Sequence, residues 1–95
     1  MEKADKRILV VDDEQDLCEI LSFNIQIEGY HVDTANSAEE ALEMDIASYD
    51  LLLLDVMMGG MSGFQLAKKL KENPMTAHVP IIFLTARDTE NDTLT

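Results

Sequence analysis

Three aspartates and a threonine have the types and the spacing to act on one ligand. Asp12 and Asp13 follow the apolar run of residues 8–11, Asp55 follows Leu51, Leu52, Leu53 and Leu54, and Thr85 follows the apolar run of residues 81–84. Each stands where a hydrophobic stretch stops. If those stretches are parallel strands of one sheet, their carboxyl ends share an edge, and that edge is where open α/β sheets bind ligands. Carboxylates crowded together disfavour joint ionisation, so such a cluster must hold a proton or a cation. Oxygen donors without Cys or His select a hard metal, and a few carboxylates with open positions suit Mg2+ completed by water and a phosphate oxygen. Phosphoryl transfer is the chemistry that fits. Asp55, at the tip of the most apolar run, is the candidate nucleophile, accepting the phosphoryl group as an acyl phosphate. The metal would neutralise charge on the transferring group while Thr85 donates a hydrogen bond to one of its oxygens. Gly59, Gly60 and Gly63 would let the following loop approach that group and offer it backbone amides.

The elements that must position these residues follow from the pattern of apolar positions. Residues 8–11, 51–54 and 81–84 are short, wholly apolar runs bounded by turn residues, the pattern of strands buried on both faces of a parallel sheet. Residues 30–35 differ, since polar Asp33 and Thr34 separate Val32 from Ala35, and they predict an edge strand. Between them, Leu17, Ile20, Leu21 and Ile25 keep helical spacing over residues 15–28, with Gly29 as the stop. Ser37 and Glu40 form a capping box that opens a second helix over about residues 38–47, burying Ala38, Ala41, Leu42 and Met44 or Ile46. Gly63, Leu66, Ala67 and Leu70 form the stripe of a third, with Pro74 beyond its end. Alternating strands and helices predict a doubly wound α/β fold with right-handed crossovers and strand order 2-1-3-4. The run at 81–84 has the composition of an interior strand with nothing after it to lie alongside. The expectation is therefore one domain over residues 1–95, truncated at its C-terminal end, whose uncovered edge favours pairing between copies.

Composition narrows the partners. Nineteen acidic residues against seven basic ones give a formal charge of −12, which repels phosphate backbones and anionic lipid, so direct nucleic-acid or membrane binding is not expected. Cys18 is the sole cysteine and falls among the apolar positions of the first helix, which predicts a small buried hydrophobe and not a redox group. The charged N-terminus runs straight into a strand without the apolar core of a signal peptide, which predicts a cytoplasmic protein. His31 and His78 have no partner at metal-ligand spacing and are expected at the surface. Met57, Met58 and Met61 are expected to fill gaps around the loop, and Tyr30 and Tyr49 to pack where helices hand over to strands.

Taken together, these motifs resemble the receiver domain of two-component response regulators, whose flavodoxin-like fold has the strand order predicted above. The residues Val10-Val11-Asp12-Asp13-Glu14 resemble the family's acidic metal motif, Leu54-Asp55-Val56-Met57-Met58 its phosphoacceptor motif, and Leu84-Thr85-Ala86 its switch motif. The resemblance implies that Asp12, Asp13 and Asp55 bind Mg2+ through side chains and Met57 through its carbonyl. It implies that Met57, Thr85 and Ala86 meet the phosphoryl group, that Thr85 moves on phosphorylation, and that a sensor histidine kinase is the donor. Helix one and the Glu28-Gly29-Tyr30 turn look most like receivers that precede a winged-helix DNA-binding domain, which implies transcription control through an output domain not in this sequence. The chain departs from the pattern in two ways. Gly59 stands where the family usually has proline, which predicts a more flexible loop, and the strand-five lysine that pairs with the phosphoryl group has no counterpart.

Three other readings compete. Asp12, Asp13 and Glu14 could cap helix one and do nothing more. The missing lysine would suit a pseudo-receiver that binds partners without phosphorylation. A haloacid-dehalogenase-like phosphatase would need a second aspartate where Met57 stands, and a P-loop NTPase would need a G-x-x-x-x-G-K-[ST] loop that is absent. No turnover of an external substrate is therefore expected, only self-phosphotransfer and self-dephosphorylation.

Overall fold

The computed structural model describes residues 5–84, so Thr85 and Ala86 lie outside the described residues. The chain forms β1 (Arg7–Val11), α1 (Gln15–Ile27), β2 (His31–Ala35), α2 (Ala38–Leu42), a 3-10 turn (Ile46–Ser48), β3 (Leu51–Asp55), α3 (Gly63–Glu72) and β4 (Ile81–Leu84). All strand pairs are parallel, and the sheet order is β2-β1-β3-β4, as the alternation of runs predicts. The registers Val11 with Ala35, Val11 with Leu54, and Asp55 with Leu84 bring the strands' carboxyl ends to one edge.

Period-two alternation sends the strand side chains to opposite faces. Leu9, Val11, Leu52 and Leu54 are fully buried in one cluster with Ala38 and Ala41 of α2 and Leu66 and Leu70 of α3. Val10 joins Cys18 and Val32 on the other face, with Leu21 and Ile25 of α1 packed against them. The core-facing stripe of α1 thus runs through Cys18, Leu21 and Ile25, and Ile20, expected inside, is 57% exposed. Leu42 is likewise exposed and leaves the buried side of α2 to Ala38 and Ala41.

The second helix is shorter than its apolar pattern predicts. Its last turn tightens, with the amides of Glu43 and Met44 bonding the carbonyls of Glu40 and Ala41. Asp45, a poor helix former, then breaks the run. Its carbonyl accepts the Ser48 amide at 3.0 Å and the Ser48 hydroxyl at 2.7 Å, and the resulting turn returns Ile46 to the core. The cap also differs in detail. Ser37 accepts the Glu40 amide at 2.9 Å, but Glu40 reaches past Ser37 to the Asn36 amide. α3 carries the complete reciprocal box, with Ser62 accepting the Gln65 amide and Gln65 accepting the Ser62 amide.

β2 is an edge strand with only Val32 and Ala35 buried, as expected. Among the described residues β4 is the other edge, and Ile82 is 53% exposed on it. Tyr49 is buried and donates its hydroxyl to Asp33 at 2.6 Å beneath the Arg7 guanidinium, while Tyr30 packs beside α1. Burial, then the hydrogen bond and charge of Asp33, push the Tyr49 hydroxyl up to about 12. Within the described residues no helix is long and apolar enough to cross a membrane.

Candidate functional site

Pairing of Val11 with Leu54 sets the ends of β1 and β3 side by side, so Asp12 and Asp55 become neighbours although far apart in sequence. Both are buried, at 1% and 3% exposure, while Asp13 turns outward. One carboxylate oxygen from each of Asp12, Asp13 and Asp55 lies within 4.8 Å of the others. Of the site residues predicted from sequence, the structure brings these three together, and Met57, two residues beyond Asp55, has its amide 3.4 Å from Asp55 Oδ1. The Met57 side chain is 58% exposed and fills no gap, unlike Met58, which is buried. His31 and His78 are exposed, as expected.

Backbone donors hold the carboxylates. The Asp12 amide bonds the Ala35 carbonyl at 3.1 Å, and Asp12 Oδ1 accepts the Glu14 amide at 2.9 Å. Burial pushes the Asp12 carboxyl above its ordinary range, and the charges of Asp55, Asp13 and Glu14 push it the same way against the Glu14 hydrogen bond. Glu14, at the N-terminal boundary of α1, makes no side-chain capping bond, while Asp12 accepts the Glu14 amide there.

Two supports were not apparent in the sequence. Cys18 Sγ donates to the Asp12 carbonyl at 3.3 Å, and Asn36 Nδ2 donates to the same oxygen at 3.2 Å. Burial, with Asp12 next, raises the Cys18 thiol to about 11, which keeps it protonated and unreactive at neutral pH. The only outward signal for Asn36 was its place directly after β2.

The glycines act differently from the expectation. Gly60 has φ of 79°, a conformation that favours glycine. Gly63 packs so closely that a Cβ there would collide with the Asp55 carbonyl. The amides of Gly59 and Gly63 are not offered to a ligand: Gly59 donates to Asp13 Oδ2 at 3.1 Å and Gly63 to the Val56 carbonyl at 3.0 Å. A cavity of about 760 Å3 lies at the opposite end of the strands between α1 and the sheet, with Ile8, Ile25, Leu51 and Leu53 in its lining. Its lining is mainly apolar, with Lys6, Glu28 and Asp50 at its margin, and holds none of the three aspartates.

All-oxygen donors, two of them buried and one of those pushed toward its protonated form by burial and then by its charged neighbours, fit a hard divalent cation. A family model for the response regulator receiver domain matches residues 8–95. The chain belongs to that family. Among related proteins, the response regulator SaeR of Staphylococcus epidermidis is 39% identical over 87 residues, 92% of this chain and 37% of SaeR. The phosphate regulon transcriptional regulatory protein PhoB of Rhizobium meliloti is 41% identical over 87 residues, 90% of this chain and 38% of PhoB. Among solved structures, the response regulator TrrA of Thermotoga maritima, in complex with Mg2+-BeF, superimposes with a TM-score of 0.69 at 31% identity, over 94% of this chain and 95% of that one. The receiver fold is thus shared along nearly the whole chain, which itself spans little more than a third of the length of SaeR and PhoB.

Proposed function

We propose that this receiver domain accepts a phosphoryl group on Asp55 from a sensor histidine kinase and thereby switches the binding of partners. The observation that carries this reading is the meeting of Asp12, Asp13 and Asp55 within 4.8 Å at the ends of β1 and β3. Asp12, Asp13 and Asp55, with the Met57 carbonyl, would hold Mg2+, which when bound neutralises the charge that otherwise repels an anionic phosphoryl group. An Asp55 carboxylate oxygen forms the new bond to phosphorus as the bond from phosphorus to the donor's histidine nitrogen breaks. The electron pair leaves with that nitrogen, which then takes up a proton. Asp55 is suited to this because it is buried at the tip of a rigid strand, which fixes the attacking oxygen. Thr85 and Ala86 would receive the phosphoryl oxygens, and movement of Thr85 would carry the signal.

The relatives support a regulatory output. SaeR is a response regulator and PhoB a transcriptional regulator, so transcription control in the cytoplasm, through sequence beyond the part matched here, is the activity proposed for the whole protein. The domain would turn over no external substrate and would only accept and slowly lose its own phosphoryl group. Among the described residues β4 is an edge strand, and pairing between copies is a further part of the proposal that a dilution series would test.

The decisive experiment is the intact mass of the chain after incubation with acetyl phosphate and Mg2+, beside Asp55→Asn. The expected result is one phosphoryl adduct on the parent and none on the variant. An equal adduct on both would remove Asp55 from the role, and no adduct on either would leave an interaction module without phosphorylation.

A further inference from the structure

The peptide that joins Asp12 to Asp13 carries an acid of the cluster at each end. Because a peptide is planar, the direction of the Asp12 carbonyl sets how the two carboxylates are presented to a shared cation. Repulsion within the cluster favours any turn of that peptide that spreads them. Two side chains oppose such a turn: the Cys18 thiol donates to the Asp12 carbonyl at 3.3 Å, and Asn36 Nδ2 donates to it at 3.2 Å. The thiol is a weak donor, so the amide is the stronger hold.

Asn36 is itself anchored where β2 hands over to α2. Its backbone amide donates to Glu40 Oε1 at 2.9 Å, and its Nδ2 also lies 3.7 Å from Cys18 Sγ. The residue is exposed overall, yet its side-chain amide turns inward against Asp12, which is 1% exposed. Capping of α2 does not use this side chain, since Ser37 is the cap and Glu40 bonds the Asn36 backbone. We infer that Asn36 is a positioning residue for the cation site: its side-chain amide holds the peptide between Asp12 and Asp13, and with it the spacing of their carboxylates, in the arrangement that suits a small divalent ion. This rests on the proposed reading of the cluster as a metal site.

The consequence is a preference between cations. Mg2+ demands near-ideal octahedral geometry, whereas Ca2+ accepts longer and less regular coordination, so a loosened peptide should cost Mg2+ more than Ca2+. The test is binding of each ion by calorimetry to the parent chain and to Asn36→Ala, which keeps the backbone amide that Glu40 holds. In the variant, a water admitted in place of the side chain would satisfy the Asp12 carbonyl without fixing its direction. Mg2+ affinity should fall about tenfold, the scale on which supports of metal ligands act, and Ca2+ affinity by no more than about twofold. Unchanged Mg2+ affinity, or a loss as large for Ca2+ as for Mg2+, would overturn the positioning role and leave the metal site standing. A parent chain that binds no Mg2+ would instead overturn the reading of the site itself. If thermal melting shows that Asn36→Ala does not fold, the Asn36 side chain in the metal-free parent decides. By NMR its amide protons should exchange with water more slowly than those of Asn73, which is exposed and bonds through its side-chain oxygen, and equal exchange would overturn the hold on Asp12.

Discussion

At the scale of single residues, the site is built from a charge the fold would rather not bury. Asp12 is raised from its ordinary value of 3.8 by burial first and by the Asp55, Asp13 and Glu14 charges next. The folded chain therefore keeps a proton on Asp12 over a range of pH in which the unfolded chain has lost it. The stability that goes with that proton is complete below the ordinary value and is lost as pH rises through the raised one. Asp12→Asn removes this loss and retains an oxygen for the Glu14 amide. Without metal at neutral pH, the variant should be stabilised by about 1 kcal/mol, which for a chain of this size moves the melting temperature by about 4–8 °C. The same variant should lose the stabilisation that Mg2+ gives the parent. A variant that melts below the parent in chelator at neutral pH would show that the carboxylate supports the fold and does not strain it.

At the scale of elements, the start of α3 is fitted to the end of β3. A Cβ at Gly63 would collide with the Asp55 carbonyl and lie 3.1 Å from the Val56 Cα, both backbone atoms that cannot swing aside. Gly63→Ala should push α3 off the strand end at a cost of about 1–3 kcal/mol, read as a lower urea midpoint. Labelling of Asp55 by acetyl phosphate should fall further than the loss of folded protein explains, because the displaced backbone carries the nucleophile. This junction was only partly legible in the sequence. The strands were legible because runs such as Leu51, Leu52, Leu53 and Leu54 have no polar side to present, and their ends placed the three aspartates. The end of α2 was not, because Met44 and Ile46 continue the apolar spacing while the backbone has already turned at Asp45. Ile20 kept helical spacing as well, and spacing alone does not say which of two adjacent stripes meets the sheet. The hydrogen bond from Gly59 to Asp13 was invisible for a simpler reason: its donor is a backbone amide and carries no side-chain signature.

At the scale of the whole molecule, the formal charge of −12 acts everywhere, and the site must be distinguished from it. Self-repulsion of a chain so acidic destabilises the compact state, and any salt relieves that by screening. NaCl should therefore raise the melting temperature of the parent chain and of a variant with Asp12, Asp13 and Asp55 all changed to Asn. Binding at a site differs from screening because it saturates and stabilises only the folded state, by about 2.7 kcal/mol when free ligand is 100 times its dissociation constant. At matched ionic strength, MgCl2 should raise the parent's melting temperature above its value in NaCl and leave the triple variant the same in both salts. The repulsion that remains after neutralising three of nineteen acids is still large, so the variant keeps most of the general salt response. An equal extra shift from MgCl2 in both proteins would place the Mg2+ effect on the acidic surface at large and not at the ends of β1 and β3.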